Sequence, residues 1–155
     1  MDMKNAKLVA LKVERRAIGG AIFEGTHLDF TDIRQLSSNH RQADSSALGF
    51  VHWLVDTFEA ETVALEIVPT PTETRRSVLT RMITESLRER GVSVLEVRKL
   101  EFLSTYGMPP PKTRREVRET VKGLWPILES ETRNGLILDA TALGLYVQTE
   151  RLFIQ

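Results

Sequence analysis

The sequence predicts an α/β fold with a five-stranded mixed sheet, in which three antiparallel strands precede two parallel ones and helices cover both faces. Three observations predict it. Three short apolar runs with short connections come first, two further runs are each separated by helical periodicity, and no linker interrupts the 155 residues. Because that length suits one domain with a sizeable core, we expect a single domain over residues 1–155.

The first three strands are predicted at Leu8–Val13, Ala17–Phe23 and His27–Leu36. The first run is apolar apart from Lys12, which is typical of a strand buried on both faces. The third run partly alternates between apolar and polar residues, as a half-exposed strand does. The short connections between the runs make consecutive antiparallel pairing the simplest arrangement.

The rest of the chain alternates between helical and strand patterns. Asp44, Ser45 or Ser46 is the expected cap of a helix that runs to Phe58. The following elements are a buried strand at Thr62–Val68 that Pro69 stops, a helix through Val78–Leu87, a strand at Val92–Val97, a basic helix opened by Pro109–Pro111, and a last helix from Asp139 to about Thr149. Strands separated by helices imply parallel pairing with right-handed crossovers. The whole order is that of an RNase H-like fold.

Composition excludes several classes of protein. The chain is 41% hydrophobic and 27% charged, which is unlike a disordered chain. Its 21 basic and 21 acidic residues balance, so no overall field attracts nucleic acid or membranes. Zero cysteines exclude disulfides and thiol catalysis. No apolar run reaches the roughly 18 residues of a membrane span, and the N-terminus lacks the apolar core of a signal peptide, so we expect a cytoplasmic protein.

Lys12, Glu66 and Asp139 are candidate site residues because a charge at such places is costly. Lys12 and Glu66 each interrupt a strand predicted to be buried, where a charge needs a partner, and Asp139 stands at the predicted start of the last helix. The alternatives are a strand end at which Glu66 reaches water, and a helix cap at Asp139. In the predicted order the first and fourth strands are neighbours, so Lys12, Glu66 and the start of the last helix would converge where α/β sheets place their sites.

Four motifs together resemble a RuvC-type Holliday-junction resolvase domain. They are the hairpin Leu11–Gly19, the strand residues Leu65 and Glu66, one helix motif in two stretches (Arg114–Val117 and Val121–Leu124), and the segment Leu138–Leu143. The resemblance covers nearly the whole chain in order and spacing. It implies an RNase H-like fold, a divalent-metal site and branched nucleic acid as substrate.

The departures from that family predict a degenerate site. The resemblance puts a metal-binding aspartate where this chain has Lys12, and acidic or histidine ligands where it has Leu136 and Ala142. Glu66 and Asp139 would remain, and two-metal chemistry needs several carboxylates. Glu14 is one candidate replacement ligand, because a residue two positions after Lys12 on a strand shares its face. The alternative is an exposed turn residue.

The basic helix that Pro109–Pro111 opens carries side chains that could contact phosphates. The candidate nucleic-acid-binding residues are Arg114, Arg115, Arg118 and Lys122. The alternative is a solvated helix face with pairs such as Arg115–Glu119.

Three hypotheses follow. The first is a non-catalytic domain, without cofactor, that binds branched or structured nucleic acid or a partner protein. The second is a Mg²⁺- or Mn²⁺-dependent endonuclease that uses Glu66, Asp139 and Glu14. The third is a dimerising scaffold without nucleic-acid contact. In the first, Lys12 takes roughly the space of a metal ion and pairs with Glu66, with Asp139 as a further partner.

Overall fold

A five-stranded mixed sheet forms the centre of the molecule in the computed structural model, which describes residues 6–67, 72–98, 113–131 and 135–153. The strands are β1 (Lys7–Val13), β2 (Ala17–Glu24), β3 (His27–Gln35), β4 (Thr62–Ile67) and β5 (Ser93–Arg98). Their order across the sheet is β3-β2-β1-β4-β5. The first three strands pair antiparallel, whereas β1 with β4 and β4 with β5 pair parallel. The predicted fold is confirmed, including the central neighbours β1 and β4.

The helices are α1 (His40–Phe58), α2 (Arg75–Glu89), α3 (Arg114–Leu124) and α4 (Leu136–Phe153), with a 3₁₀ helix at Pro126–Glu131. The predicted Val68, Pro69 and Pro109–Pro111 lie outside the described residues. No helix in the described ranges combines the length and the hydrophobicity needed to cross a bilayer.

Two predicted helix starts are wrong. Asn39 caps α1 by accepting a hydrogen bond from the Gln42 backbone N–H at 3.1 Å, so the expected cap at Asp44, Ser45 or Ser46 lies inside the helix. The first turn is mostly exposed and polar, and the apolar pattern therefore starts late. Helix α4 begins at Leu136, and the Asp139 backbone N–H donates to the Gly135 carbonyl at 2.9 Å. Asp139 is consequently a first-turn residue and not a cap.

Side-chain alternation along β1 and β4 divides the core into two layers. On one face, odd-numbered residues such as Leu11 and Leu65 pack with α1 and α2. On the other face, even-numbered residues such as Leu8, Ala10 and Ala64 pack with α3 and α4. The even-numbered Lys12 and Glu66 therefore point toward α3 and α4, at the end of that second layer.

Close backbone contact fixes α4 against the sheet. A Cβ atom on Gly19 of β2 would lie 2.7 Å from the Leu136 backbone carbonyl carbon and oxygen. Only glycine leaves room for this approach. The start of α4, and with it Asp139, is thereby held beside the β1–β2 hairpin.

Candidate functional site

The predicted convergence takes place at the carboxyl edge of β1 and β4. The parallel register pairs Leu11 with Leu65, so the next residues, Lys12 and Glu66, stand side by side. Both are almost fully buried, with 5% and 4% of their surface exposed. The alternative in which Glu66 reaches water is therefore wrong.

Lys12 and Glu66 form a direct ion pair. The Lys12 Nζ donates to Glu66 Oε2 at 2.5 Å, as a short charge-assisted hydrogen bond. The same ammonium lies 3.3 Å from Glu14 Oε1. Glu14 is half-exposed, at 39% of its side-chain surface, and so it reaches the pair from the rim.

Glu66 has two further cationic partners. Arg114 of α3 donates from NH2 to Oε1 at 2.7 Å, and Arg76 of α2 donates from NH2 to Oε2 at 3.3 Å. Both carboxylate oxygens of Glu66 are thus occupied by donors from three separate elements. An ionised carboxylate is stable in such a buried place because each oxygen accepts charge-assisted hydrogen bonds.

Asp139 forms a bidentate salt bridge with Arg118. Arg118 donates from Nε to Oδ1 and from NH2 to Oδ2, both at 2.8 Å. Arg114 NH1 lies 3.3 Å from Oδ2, so Arg114 bridges Asp139 and Glu66. Gly135 leaves space for Arg118, since a Cβ there would lie 2.4 Å from the guanidinium carbon.

We call these seven side chains the ion-pair cluster; its members are Lys12, Glu14, Glu66, Arg76, Arg114, Arg118 and Asp139. Burial alone would raise the pKa of Glu66, but Lys12 and Arg114 together hold it below its ordinary value. Burial would lower the pKa of Arg114, yet Asp139 and Glu66 raise it. The hydrogen bond to Asp139 raises the pKa of Arg118. Glu66 and both arginines are consequently charged at neutral pH.

The donor atoms of this cluster do not match those of a divalent-metal site. Among the described residues, no group of three or more histidine or acidic side chains is arranged to hold a metal ion. The oxygens of Glu66 and Asp139 face ammonium or guanidinium groups, whereas Mg²⁺ requires oxygen ligands turned toward a shared point. Leu136 and Ala142, at the two remaining ligand positions of the resemblance, are buried apolar residues.

The predicted site residues separate into two groups. Lys12, Glu14, Glu66 and Asp139 come together with two of the four predicted basic residues, Arg114 and Arg118. The described contacts of the cluster do not include the other two. Arg115 is exposed on α3, and Lys122 donates to Glu119 at 3.2 Å.

The expected pairing of Lys12 with Asp139 is not among the described contacts. Arg114 and Arg118 provide the cationic partners of Asp139 instead. Both arginines come from α3, which packs beside α4 and so brings its guanidinium groups to the start of that helix.

Arg76 is the cluster member that the sequence patterns did not identify. Thr74 caps α2 in a capping box with Ser77, which places Arg76 in the first turn of the helix. A cation there opposes the helix dipole, whose positive end is at the N-terminus. One signal could have identified Arg76. Two arginines stand at the start of this helix, in the segment that follows the strand carrying Glu66.

Sheet order and layers define an RNase H-like fold. Within that fold class, the chain has a RuvC-like fold, which confirms the resemblance at the level of structure. It is similar to Thermus thermophilus RuvC with a TM-score of 0.75 and 16% identity, over 95% of this chain and 96% of that one.

Two other resolvases have the same architecture. The yeast mitochondrial Holliday junction resolvase gives a TM-score of 0.68 at 9% identity, over 98% of this chain and 84% of that one. The fowlpox virus resolvase in complex with Holliday junction DNA gives 0.66 at 13% identity, over 94% and 99%. Comparison of the sequence with protein-family models and with curated proteins gives no match. At these identities the similarity establishes the fold.

Proposed function

We propose that this chain is a non-catalytic RuvC-like domain that binds branched nucleic acid. One observation carries the proposal. The Lys12 ammonium lies 2.5 Å from Glu66 Oε2, in the place where the family resemblance calls for a metal-binding carboxylate. A tethered cation therefore neutralises the acidic side chain that a metal ion would otherwise hold.

The charges of the ion-pair cluster support the loss of cleavage. Phosphodiester cleavage by two metals depends on carboxylates that clamp both ions and on a metal-activated water. Here Glu66 and Asp139 are bound by Lys12, Arg114 and Arg118, so metal entry would require breaking several buried ion pairs. Breaking a buried pair leaves an uncompensated charge, which is costly.

The fold and the local charge support nucleic acid as the partner. Thermus thermophilus RuvC and the fowlpox virus resolvase, both of the same fold, have been solved with Holliday junction DNA. The chain has no net charge, so binding would depend on local cations and not on an overall field. Arg15, Arg16 and Arg115 are exposed in the described structure and are available for such contacts.

Junction binding and junction cleavage test the proposal together. A labelled four-way junction and a linear duplex of equal length are titrated with the protein at two salt concentrations. Preferential junction binding that weakens with salt is expected. Absence of binding at low salt would favour the protein-partner or dimerising-scaffold alternative.

The same junction is then incubated with Mg²⁺ or Mn²⁺. We expect no cleavage. Cleavage that disappears in a Glu66→Gln variant, but persists in a Glu61→Gln control at the exposed residue just before the same strand, would establish the alternative endonuclease that uses Glu66, Asp139 and Glu14.

A further inference from the structure

A small polar cavity lies beside the ion-pair cluster and outside it. Its volume is about 80 Å³, and it is lined by Arg15, Arg16, Ser37, Ser38, His40 and Arg75. These residues come from the β1–β2 turn, the connection from β3 to α1, and the first turns of α1 and α2. Three arginines therefore line one cavity, and its lining within the described structure contains no acidic residue.

Among the described contacts, only one of the three arginines has an anionic partner. Arg75 donates to the Asp44 carboxylate and, at 3.2 Å, to the His40 carbonyl, so its position is fixed. Within the described ranges, neither Arg15 nor Arg16 forms an ion pair. Neighbouring cations repel one another unless an anion lies between them. The cavity consequently has an unmatched positive charge.

Chain connectivity places this cavity next to the cluster. Arg15 and Arg16 directly follow Glu14, and Arg75 directly precedes Arg76. Glu14 and Arg76 both belong to the ion-pair cluster, and their atoms Oε1 and NH1 are 3.9 Å apart. Since consecutive Cα atoms are about 3.8 Å apart, the cavity and the cluster are neighbours on the same edge of the sheet.

The size and lining of the cavity favour a small anion as its ligand. The cavity volume of about 80 Å³ is suited to a small polar ligand such as one tetrahedral oxyanion. Guanidinium groups bind phosphate oxygens with matched, often bidentate geometry, and the serine hydroxyls add neutral donors. We infer that the cavity binds one phosphodiester group of a nucleic-acid strand that runs past the ion-pair cluster. This inference rests on the proposed function and assigns it a contact point.

A matched pair of double variants tests the inference. Arg15→Gln/Arg16→Gln removes the two unpaired cations of the cavity. Arg88→Gln/Arg90→Gln removes the same charge at the other end of α2, where Arg90 pairs with the exposed Asp56. The cavity variant should bind the junction about tenfold more weakly at low salt, because its charge-assisted hydrogen bonds to phosphate are removed. Its plot of log affinity against log salt should also become shallower, by about 0.9 for each duplex phosphate that the protein no longer neutralises. The control should change neither value appreciably.

Inorganic phosphate provides an independent readout. Arginine Nε–Hε signals are followed by NMR during titration with phosphate, against chloride at equal ionic strength. Wild type should show a saturable shift that the cavity variant lacks and the control keeps. Junction binding with an unchanged salt slope in the cavity variant overturns the inference and leaves the proposed function intact. Absence of junction binding by the wild type overturns the proposed function and the phosphodiester assignment together, even if inorganic phosphate binds.

Discussion

Lys12 and Glu66 are cross-strand neighbours one residue beyond the last paired residues of β1 and β4, and their side chains meet at 2.5 Å. The two strands run parallel, so both side chains leave the sheet on the same face at its carboxyl edge. Carboxylates gathered at such a place repel one another unless a cation lies between them. A lysine provides that cation permanently, whereas a metal ion dissociates and rebinds.

Replacing Lys12 by Met should lower the free energy of unfolding by about 3–5 kcal/mol, because it removes the most buried of the three cations that neutralise the Glu66 carboxylate. Lys7→Met is the matched control on the same strand. Lys7 is one-third exposed and pairs with Asp29 at 3.5 Å, so its replacement should cost no more than about 1 kcal/mol. Urea unfolding measures both. Equal stability of the two variants would contradict a structural role for the Lys12–Glu66 pair.

Replacing Lys12 by Asp should make stability depend on divalent metal. The variant restores a carboxylate beside Glu66, and a metal that binds only the folded state raises the melting temperature. Thermal melts of wild type and Lys12→Asp, each with and without Mn²⁺, provide the measurement. If Mn²⁺ stabilises the wild type as strongly as the variant, Lys12 does not replace a metal ion and the endonuclease hypothesis takes precedence.

Protonation of Glu66 should lower the free energy of unfolding at acidic pH. Burial opposes the charged form, but Lys12 and Arg114 outweigh it and the folded pKa lies below the ordinary 4.5. A carboxyl with a lowered folded pKa stabilises the protein above its unfolded pKa and loses that contribution as the pH falls through the folded pKa. The stability difference between wild type and Lys12→Met should therefore be largest above about pH 4.5 and shrink below it. Urea titrations across this range would refute the prediction if the difference were constant.

Replacement by alanine should cost much more stability at Arg118 than at Arg115, although both residues lie on α3. Arg118→Ala leaves the buried Asp139 without its bidentate partner and should cost about 2–4 kcal/mol of stability. Arg115→Ala changes an exposed side chain and should stay within about 0.5 kcal/mol of wild type. Chemical unfolding distinguishes them. Arg115, unlike Arg118, therefore allows a test of phosphate contact without loss of stability, in which Arg115→Ala reduces the salt dependence of junction binding.

Replacement by alanine should change stability in opposite directions at Gly19 and Gly49. A Cβ on Gly19 would meet the Leu136 backbone at 2.7 Å, so Gly19→Ala should destabilise by about 1–3 kcal/mol as it pushes the start of α4 from the sheet. Gly49 lies within α1 and a Cβ there meets nothing within 4 Å. Gly49→Ala should therefore stabilise by up to about 1 kcal/mol. Thermal melts of the two variants test this, and an unharmed Gly19→Ala would show that α4 can shift freely.

The sequence predicted most of the architecture because the patterns involved are local. Strand runs and helical periodicity extend over a few residues each, and they identified the order of elements and the neighbouring β1 and β4. The helix starts at His40 and Leu136 were missed for local reasons too. A polar first turn hides the first start, and a helix that is buried nearly all round, such as Leu136–Leu143, shows no apolar stripe to mark the second.

By itself, the sequence determined that Lys12 and Glu66 interrupt apolar runs, and the structure decided that both charges are buried. Only the tertiary structure decided that Arg114 and Arg118 bind Glu66 and Asp139 and do not simply form a solvated helix face. An arginine side chain is long, and the local pattern of α3 leaves its partner open. The packing of α3 against α4 and the sheet selects that partner, over separations of 48 and 21 residues.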